Sequence, residues 1–394
     1  MTSTTDAVRA NAKVVAVSGA LLGIVAAFVA HGLMFRPNRI MDTPPVSLVD
    51  ALGVWGWVVV AVWVLAAATA LTPAPEKVRG VVVTLLGGAA PLVLLWHAGV
   101  VAARYAAATG DIARTSLGWA FWVSLFASYV VIFAATAWLE PGPARVALAY
   151  LPLVGAGALM ASGGLSELAI AREYANNLES FWREFRLHLS YVAGAVGTGL
   201  VAGLALGLLA ARRRAAEPVV FGTLNVLQVL PTLAFVGLMN PVLAALSERI
   251  PVLAALGVRG VGWAPVIIVL SSYAVYPIAR NTYSAVTSLD PAVIDAARGV
   301  GMGRGRLLAE VELPLALPVI IAGLRVALVQ TAAGAIIAGL VGGGGLGTFV
   351  FLGAGETASD LILLGVLPIV GLALFFDRSV LALQHALASW KVDA

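Results

Sequence analysis

The sequence predicts an all-α polytopic membrane protein of about ten transmembrane helices. Three observations carry that expectation. The chain is 61% hydrophobic and only 11% charged, against about 25% charged in soluble globular domains. Ten apolar runs approach or exceed the ~20 residues a membrane helix needs. No alternating barrel pattern appears, and backbone groups in lipid must otherwise be satisfied within helices.

The first run, Val14–Phe35, follows Arg9 and Lys13 and so resembles a secretory signal. At 22 residues it exceeds the ~7–15 of a signal core, and no small-x-small site closes it, so it reads as a retained span. Leu52–Leu71, Val81–Ala103, Ala120–Leu139 and Val146–Leu165 complete a group of five spans with short connections. The second group is Leu189–Ala211, Phe221–Leu246, Val261–Ile278, Leu317–Leu340 and Leu361–Leu383. Two domains are expected, an N-terminal membrane extension over residues 1–180 and a core over 181–394. Between the groups lies Ser166–His188, where ESFWREFRLHLSYV interleaves aromatic and basic residues. It fits an interfacial amphipathic helix or a solvated loop entering the next span.

The net charge of +4 reflects loop arginines facing lipid headgroups and does not imply nucleic-acid binding. With the N-terminus inside, thirteen Lys and Arg fall in inner segments, nine in outer segments and two within spans. That bias has the sign of the positive-inside rule. The inner count includes Arg9 and Lys391, the outer count includes Arg39, and the cluster Arg212–Arg214 is the strongest anchor. The chain has no cysteine, which excludes disulfides and thiolate metal sites.

The most polar passage of the second group is DAARGVGMGRGRLLAEVELPLALP, Asp295–Pro318. Asp290 and Pro291 suit a helix start, so a short helix is expected to about Arg298 and a second from Arg304 to Leu313, ending at Pro314. The glycines do not form a phosphate loop: neither Gly299 nor Gly301 starts a G-x-G-x-x-G, and no G-K-[ST] occurs. A plain basic inner loop and a specific partner site both remain.

Two spans carry polar faces. Asn225, Gln228, Thr232 and Phe235 are spaced 3, 4, 3, as are Tyr273, Tyr276, Arg280 and Tyr283. On a helix each set occupies an arc of roughly 80°. Pro231 and Pro277 are expected to interrupt these helices. Such faces can line a solute path, or they can simply hold helices together at about 0.6 kcal/mol per contact. Arg325, about 12 Å into its span by helical rise, would snorkel or form a structural pair. Asp377 and Arg378 read as interfacial. His31 and His97 stand alone in apolar runs and read as packing residues, since no partner ligands lie at suitable spacing; no metal is expected.

The spacing of Asp295-Ala296-Ala297, three residues, Gly301, nine residues, Val311, one residue and Leu313-Pro314 resembles the EAA loop of ABC importer permeases. Asp295 stands where that family has Glu, and Val311 where it usually has Ile. YPIARNTYSAVTSLDPAVIDAARGVGMG, VELPLALPVIIAGLR and GLVGGGGLGTFVF look like permeases of the glycine betaine/carnitine/choline uptake family, in the subgroup with an N-terminal membrane extension. The likeness covers roughly Leu189–Leu383. It implies a type I importer core whose coupling helix, near residues 290–314, seats in an ATPase subunit. It also implies a second permease chain, an extracytoplasmic solute-binding protein, and a multi-pass position in the bacterial inner membrane. ATP and Mg would be held by the partner ATPase, with no cofactor and no catalytic residue on this chain. Gly342, Gly343, Gly344, Gly345 and Gly347 would form either a gate loop close to the pore or a flexible connection. Two rivals are a permease for another solute, such as an amino acid, and an ion-coupled carrier. The latter should show acidic residues at mid-membrane, and the spans hold only Asp377, near an end.

Overall fold

The computed structural model describes residues 4–29, 31–38, 41 and 43–389, with side chains from 11 to 384. Arg39, Lys391 and the side chain of Arg9 lie outside these. Contacts divide the chain into two units, Met1–Asn176 and Asn177–Ala394. Among the described residues, nine helices are long and apolar enough to cross a membrane, or ten if one bent pair counts as a span.

The first unit comprises α1 (Thr4–Phe28), β1 (Leu33–Arg36), α2 (Leu48–Leu52), α3 (Val54–Leu71), α4 (Glu76–Thr109), β2 (Arg114–Leu117), α5 (Trp119–Thr136), α6 (Pro143–Ala161) and α7 (Ala169–Asn176). Its core is built on small residues. Ala12, Ala16 and Ala20 of α1 are buried, and Gly23 admits the fully buried Trp63 ring. Ser128 Oγ donates to the Gly87 carbonyl at 2.6 Å, tying α5 to α4 where Gly87 leaves room.

The expected first span ends earlier than Phe35. Helix α1 stops at Phe28, and Leu33–Arg36 pairs antiparallel with Arg114–Leu117. The cause is backbone pairing that an apolar run does not reveal. Gly32 donates to Val46 at 2.7 Å, Gly118 donates to Gly32 at 3.0 Å, and the resulting sheet satisfies polar groups beyond the helix end. His31 therefore lies outside the helix, against Trp119, while His97 stacks on Trp55 at 3.9 Å.

The second unit comprises α8 (Leu178–Arg212), α9 (Glu217–Val229), α10 (Thr232–Arg249), α11 (Pro251–Ala255), α12 (Trp263–Thr287), α13 (Pro291–Gly299), α14 (Arg304–Leu307), α15 (Leu313–Gly334), α16 (Gly347–Gly355) and α17 (Ser359–Ser389). A wide π turn, Leu308–Glu312, joins α14 to α15, and a 3-10 segment, Ala335–Gly339, follows α15.

ESFWREFRLHLSYV forms no separate interfacial helix. It is the first part of α8, and its buried residues Phe181, Glu184, His188 and Tyr191 share one helical face with Ala195 and Gly199. The amphipathic stripe is real, but it faces protein. Further along α8, Gly199, Gly203 and Gly207 form a seam against α12. A Cβ there would lie 2.7 Å from Ala274 Cβ, 2.8 Å from Ile278 Cβ and 2.6 Å from the Ala279 carbonyl oxygen. Small residues at every fourth position let the two backbones meet.

Two proline expectations resolve differently. Pro231 does break its span: α9 and α10 meet at 103° across Leu230 and Pro231. Pro277 does not, and α12 runs through it. Pro314 also fails to end a helix. The Leu313 N–H reaches back five residues to the Leu308 carbonyl, and this wider turn accommodates Pro314 in the first turn of α15.

Candidate functional site: a coupling loop and a polar cavity

The loop after α12 is built by two caps. Asp290 Oδ1 accepts from the Ala292 N–H at 2.9 Å, satisfying an end donor of α13. At the other end Met302 N–H donates to Ala297 and Gly301 N–H donates to Arg298, at 3.2 and 2.9 Å. This is the paired bonding of a Schellman motif, which needs a left-handed residue, and Gly301 has φ +85°. Gly301 is the only one of the loop's four glycines with positive φ.

Helix α13 is thereby held as a short projecting rod. Asp295 and Ala296 are exposed, Ala297 is buried, and Val311 and Leu313 are half-buried. Val300 is 76% exposed and Val293 is 41% exposed, so the rod offers apolar surface beside charge. Asp295 pairs with Arg298 at 3.5 Å, and Arg306 with Glu310 at 2.9 Å. Behind the rod, Glu312 is 3% exposed and paired with Arg212 at the end of α8.

The break between α9 and α10 opens a cavity of about 290 Å³. Gln228, Thr232 and Tyr273 line it together. The Gln228 amide donates to the Tyr273 carbonyl at 2.8 Å, and the Tyr273 hydroxyl donates to the Leu230 carbonyl within the break. The other three residues expected on this path lie elsewhere. Phe235 is buried edge-on against Tyr273 at 6.3 Å, and Tyr276 packs with the Phe221 and Leu224 cluster. Asn225 is exposed on α9 and does not line the cavity. The bend carries Phe235, beyond Pro231, off the face of α9, while Asn225 and Tyr276 lie about one turn from the cavity on α9 and α12. Arg280 lies 4.9 Å over the Phe221 ring.

Sequence reasoning missed Gln330 and Thr331, the cavity's contribution from α15. Gln330 reaches Gln228 Oε1 at 3.5 Å, and Thr331 Oγ1 is buried without a hydrogen-bond partner. Two polar residues at the end of a long apolar run carry no periodic signal. No Asp, Glu, Lys, Arg or His lines the cavity among the described residues.

The glycine segment is an ordered turn. Gly342, Gly344 and Gly345 have positive φ. Gly343 and Gly345 are bonded to α8: the Tyr191 hydroxyl donates to the Gly343 carbonyl at 2.5 Å, and Gly345 N–H donates to Glu184 Oε2 at 2.6 Å. Gly262, at the start of α12, donates to Val341 at 2.9 Å. Gly347 opens α16 against the Ile336 carbonyl, where any side chain would collide. Arg325 is bonded to Asp377 Oδ1 at 2.6 Å, the structural pair rather than a free snorkelling cation.

Residues 203–389 match the family described as binding-protein-dependent transport system inner membrane component. Residues 11–171 match the N-terminal domain of the ABC transporter permease YehY. The carnitine transport permease protein OpuCB of Listeria monocytogenes is 35% identical over 212 residues, 54% of this chain and 88% of that one. The osmoprotectant import permease protein OsmW of Salmonella typhimurium is 36% identical over 200 residues, 51% of this chain and 88% of that one. Among solved structures, a chain of the MetNI methionine ABC transporter is 21% identical with a TM-score of 0.47, covering 54% of this chain and 98% of that one. The family match and the two permease relatives, with the spans described above, make this chain an inner-membrane transport component. The chain belongs to the permease subunits of binding-protein-dependent ABC importers, and it joins that core to a YehY-type N-terminal domain.

Proposed function

We propose that this permease takes up glycine betaine or a related quaternary amine osmolyte such as choline, carnitine or proline betaine. The observation that carries the reading is the relationship to permeases named for carnitine and osmoprotectant import. The double-capped α13, with Asp295, Ala296, Ala297, Gly301, Val311, Leu313 and Pro314, is the docking element for an ABC ATPase subunit on the cytoplasmic side. ATP and Mg are bound and used by that partner. A second permease chain completes the channel, and an extracytoplasmic binding protein delivers solute. Gln228, Thr232 and Tyr273 line the translocation path with Gln330 and Thr331, and Gly342–Gly347 forms its gate. The N-terminal extension lies outside the solute path.

The test is uptake in proteoliposomes containing the chain, its ATPase and its binding protein, across glycine betaine, choline, carnitine, proline and an amino-acid panel. ATP-dependent uptake of a quaternary amine is expected. Uptake restricted to amino acids would replace the solute assignment. ATP-independent uptake by the chain alone would overturn the importer reading.

A further inference from the structure

We propose that α8 ties the coupling loop to the glycine loop, with Arg212 at one end and Glu184 and Tyr191 at the other acting as positioning residues for transport. The proposal rests on the permease reading above and assigns a task to residues that reading leaves unused.

Helix α8 runs 35 residues with no proline within it. By helical rise Arg212 stands about 42 Å from Glu184 and about 32 Å from Tyr191, a full membrane thickness. Both ends hold specific contacts to a buried carboxylate, although Arg212 itself is exposed. Glu312, 3% exposed in the π turn, has its carboxylate paired with Arg212. A buried carboxylate deprived of its cation is strongly disfavoured, so this contact resists separation. At the far end Glu184 is 6% exposed and accepts from Gly345, Tyr191 donates to Gly343, and His188 Nε2 lies 3.0 Å from the Ala332 carbonyl. Phe181 stacks on Phe349 of α16 at 6.2 Å.

These contacts fall at the two ends of one segment. The π turn precedes α15, and the glycine loop follows the 3-10 turn that ends it. Helix α8 therefore grips both ends of α15, and the α12 seam holds it along its middle. A displacement of the coupling loop passes through Glu312 and Arg212 into α8, and arrives at Gly343 and Gly345 without crossing the cavity. If the contacts served stability alone, their loss would lower folding or docking and would not selectively silence the far loop.

The chain has no native cysteine, so Leu340→Cys, at an exposed position beside the glycine loop, reports that loop alone. Labelling by a water-soluble thiol reagent is measured in the assembled complex, with and without trapped ATP. It is repeated with Arg212→Gln plus Glu312→Gln, and with the charge swap Arg212→Glu plus Glu312→Arg. Expected are an ATP-dependent change in labelling in the parent, loss of that change in the double Gln variant with ATPase still co-purifying, and recovery in the swap. Glu184→Ala, which removes the acceptor of the Gly345 N–H, should also lose the response. An unchanged response in the double Gln variant overturns the proposal. So does joint loss of response, ATPase docking and membrane level, which marks a purely structural pair. Failure of the parent chain to bind any ATPase removes the permease reading instead.

Discussion

The Gln228 amide donates to the backbone carbonyl of Tyr273 at 2.8 Å. Tyr273 lies four residues before Pro277, which has no N–H to return the helical bond. Gln228 on α9 thus supplies what the sequence of α12 lacks, and α12 continues unbroken to Thr287. Replacing Gln228 by Leu should strand that carbonyl and lower stability by about 1 kcal/mol, within the range for an unsatisfied buried group. Pro277→Ala should make the second change largely harmless, because the helix then bonds its own carbonyl. Thermal unfolding of the detergent-solubilised single and double variants measures this. Strictly additive losses would show that the two residues are not linked.

Gln228, Thr232 and Gln330 should be reachable from water in at least one nucleotide state. Cysteine at each position should react with a small water-soluble thiol reagent, and trapping ATP should alter the rate. Leu224→Cys, 5% exposed in the α9 packing, is the control that should stay inert. Reactivity no greater than that of Leu224→Cys in every state would make the polar residues mere helix contacts.

Gly301 should be the sensitive glycine of the coupling loop. At φ +85° an alanine costs on the order of 1–2 kcal/mol of backbone strain, whereas Gly303, with φ −69°, tolerates one. Gly301→Ala should reduce ATPase co-purification at unchanged membrane level, and Gly303→Ala should leave it near normal. Equal behaviour of the two would show that the Schellman cap does not present α13.

The Arg325–Asp377 pair joins α15 to α17. Asp377→Asn leaves a cation without its partner in a spanning helix and should lower the amount of folded chain in the membrane. Replacing both residues by leucine should be milder than either single change. Quantitative immunoblotting of membranes decides it; a double variant worse than both singles would contradict a self-contained pair.

A chain beginning at Asn177 should keep ATP-dependent uptake, provided it inserts. The second unit has its own buried core, with Tyr191, Val192, Val266, Leu270 and Ala332 among its members. A well-inserted, ATPase-bound truncation without uptake would place residues 1–176 within the mechanism.

The spans were legible because lipid solvation imposes a simple length rule, which Val54–Leu71 and Trp263–Thr287 obey. Leu33–Arg36 was not, because an apolar run does not disclose that a partner strand lies eighty residues on. Pro231 could be seen as an interruption, but the 103° turn depends on what packs around it. Glu184 lay within a stretch that read as an interfacial helix or a solvated loop, because the loop it holds is 161 residues away in the chain. Thr331 gave no signal at all, since one hydroxyl in an apolar helix usually bonds its own backbone.

Where Gly199, Gly203 and Gly207 meet α12, they pack directly against Ala274, Ile278, Thr282 and the α12 backbone, with no room for a Cβ of their own. Packed helices shear past one another by letting side chains between them change position, and the glycine side of this joint has none to move. Mechanically, α8 and α12 count as one part with a single set of degrees of freedom. The compliance has to reside where the chain is already irregular, at Leu230–Pro231, at the π turn and at the glycine loop. The described residues of the second unit form ten α-helices but fewer independently movable bodies, with hinges where hydrogen bonding departs from the α pattern.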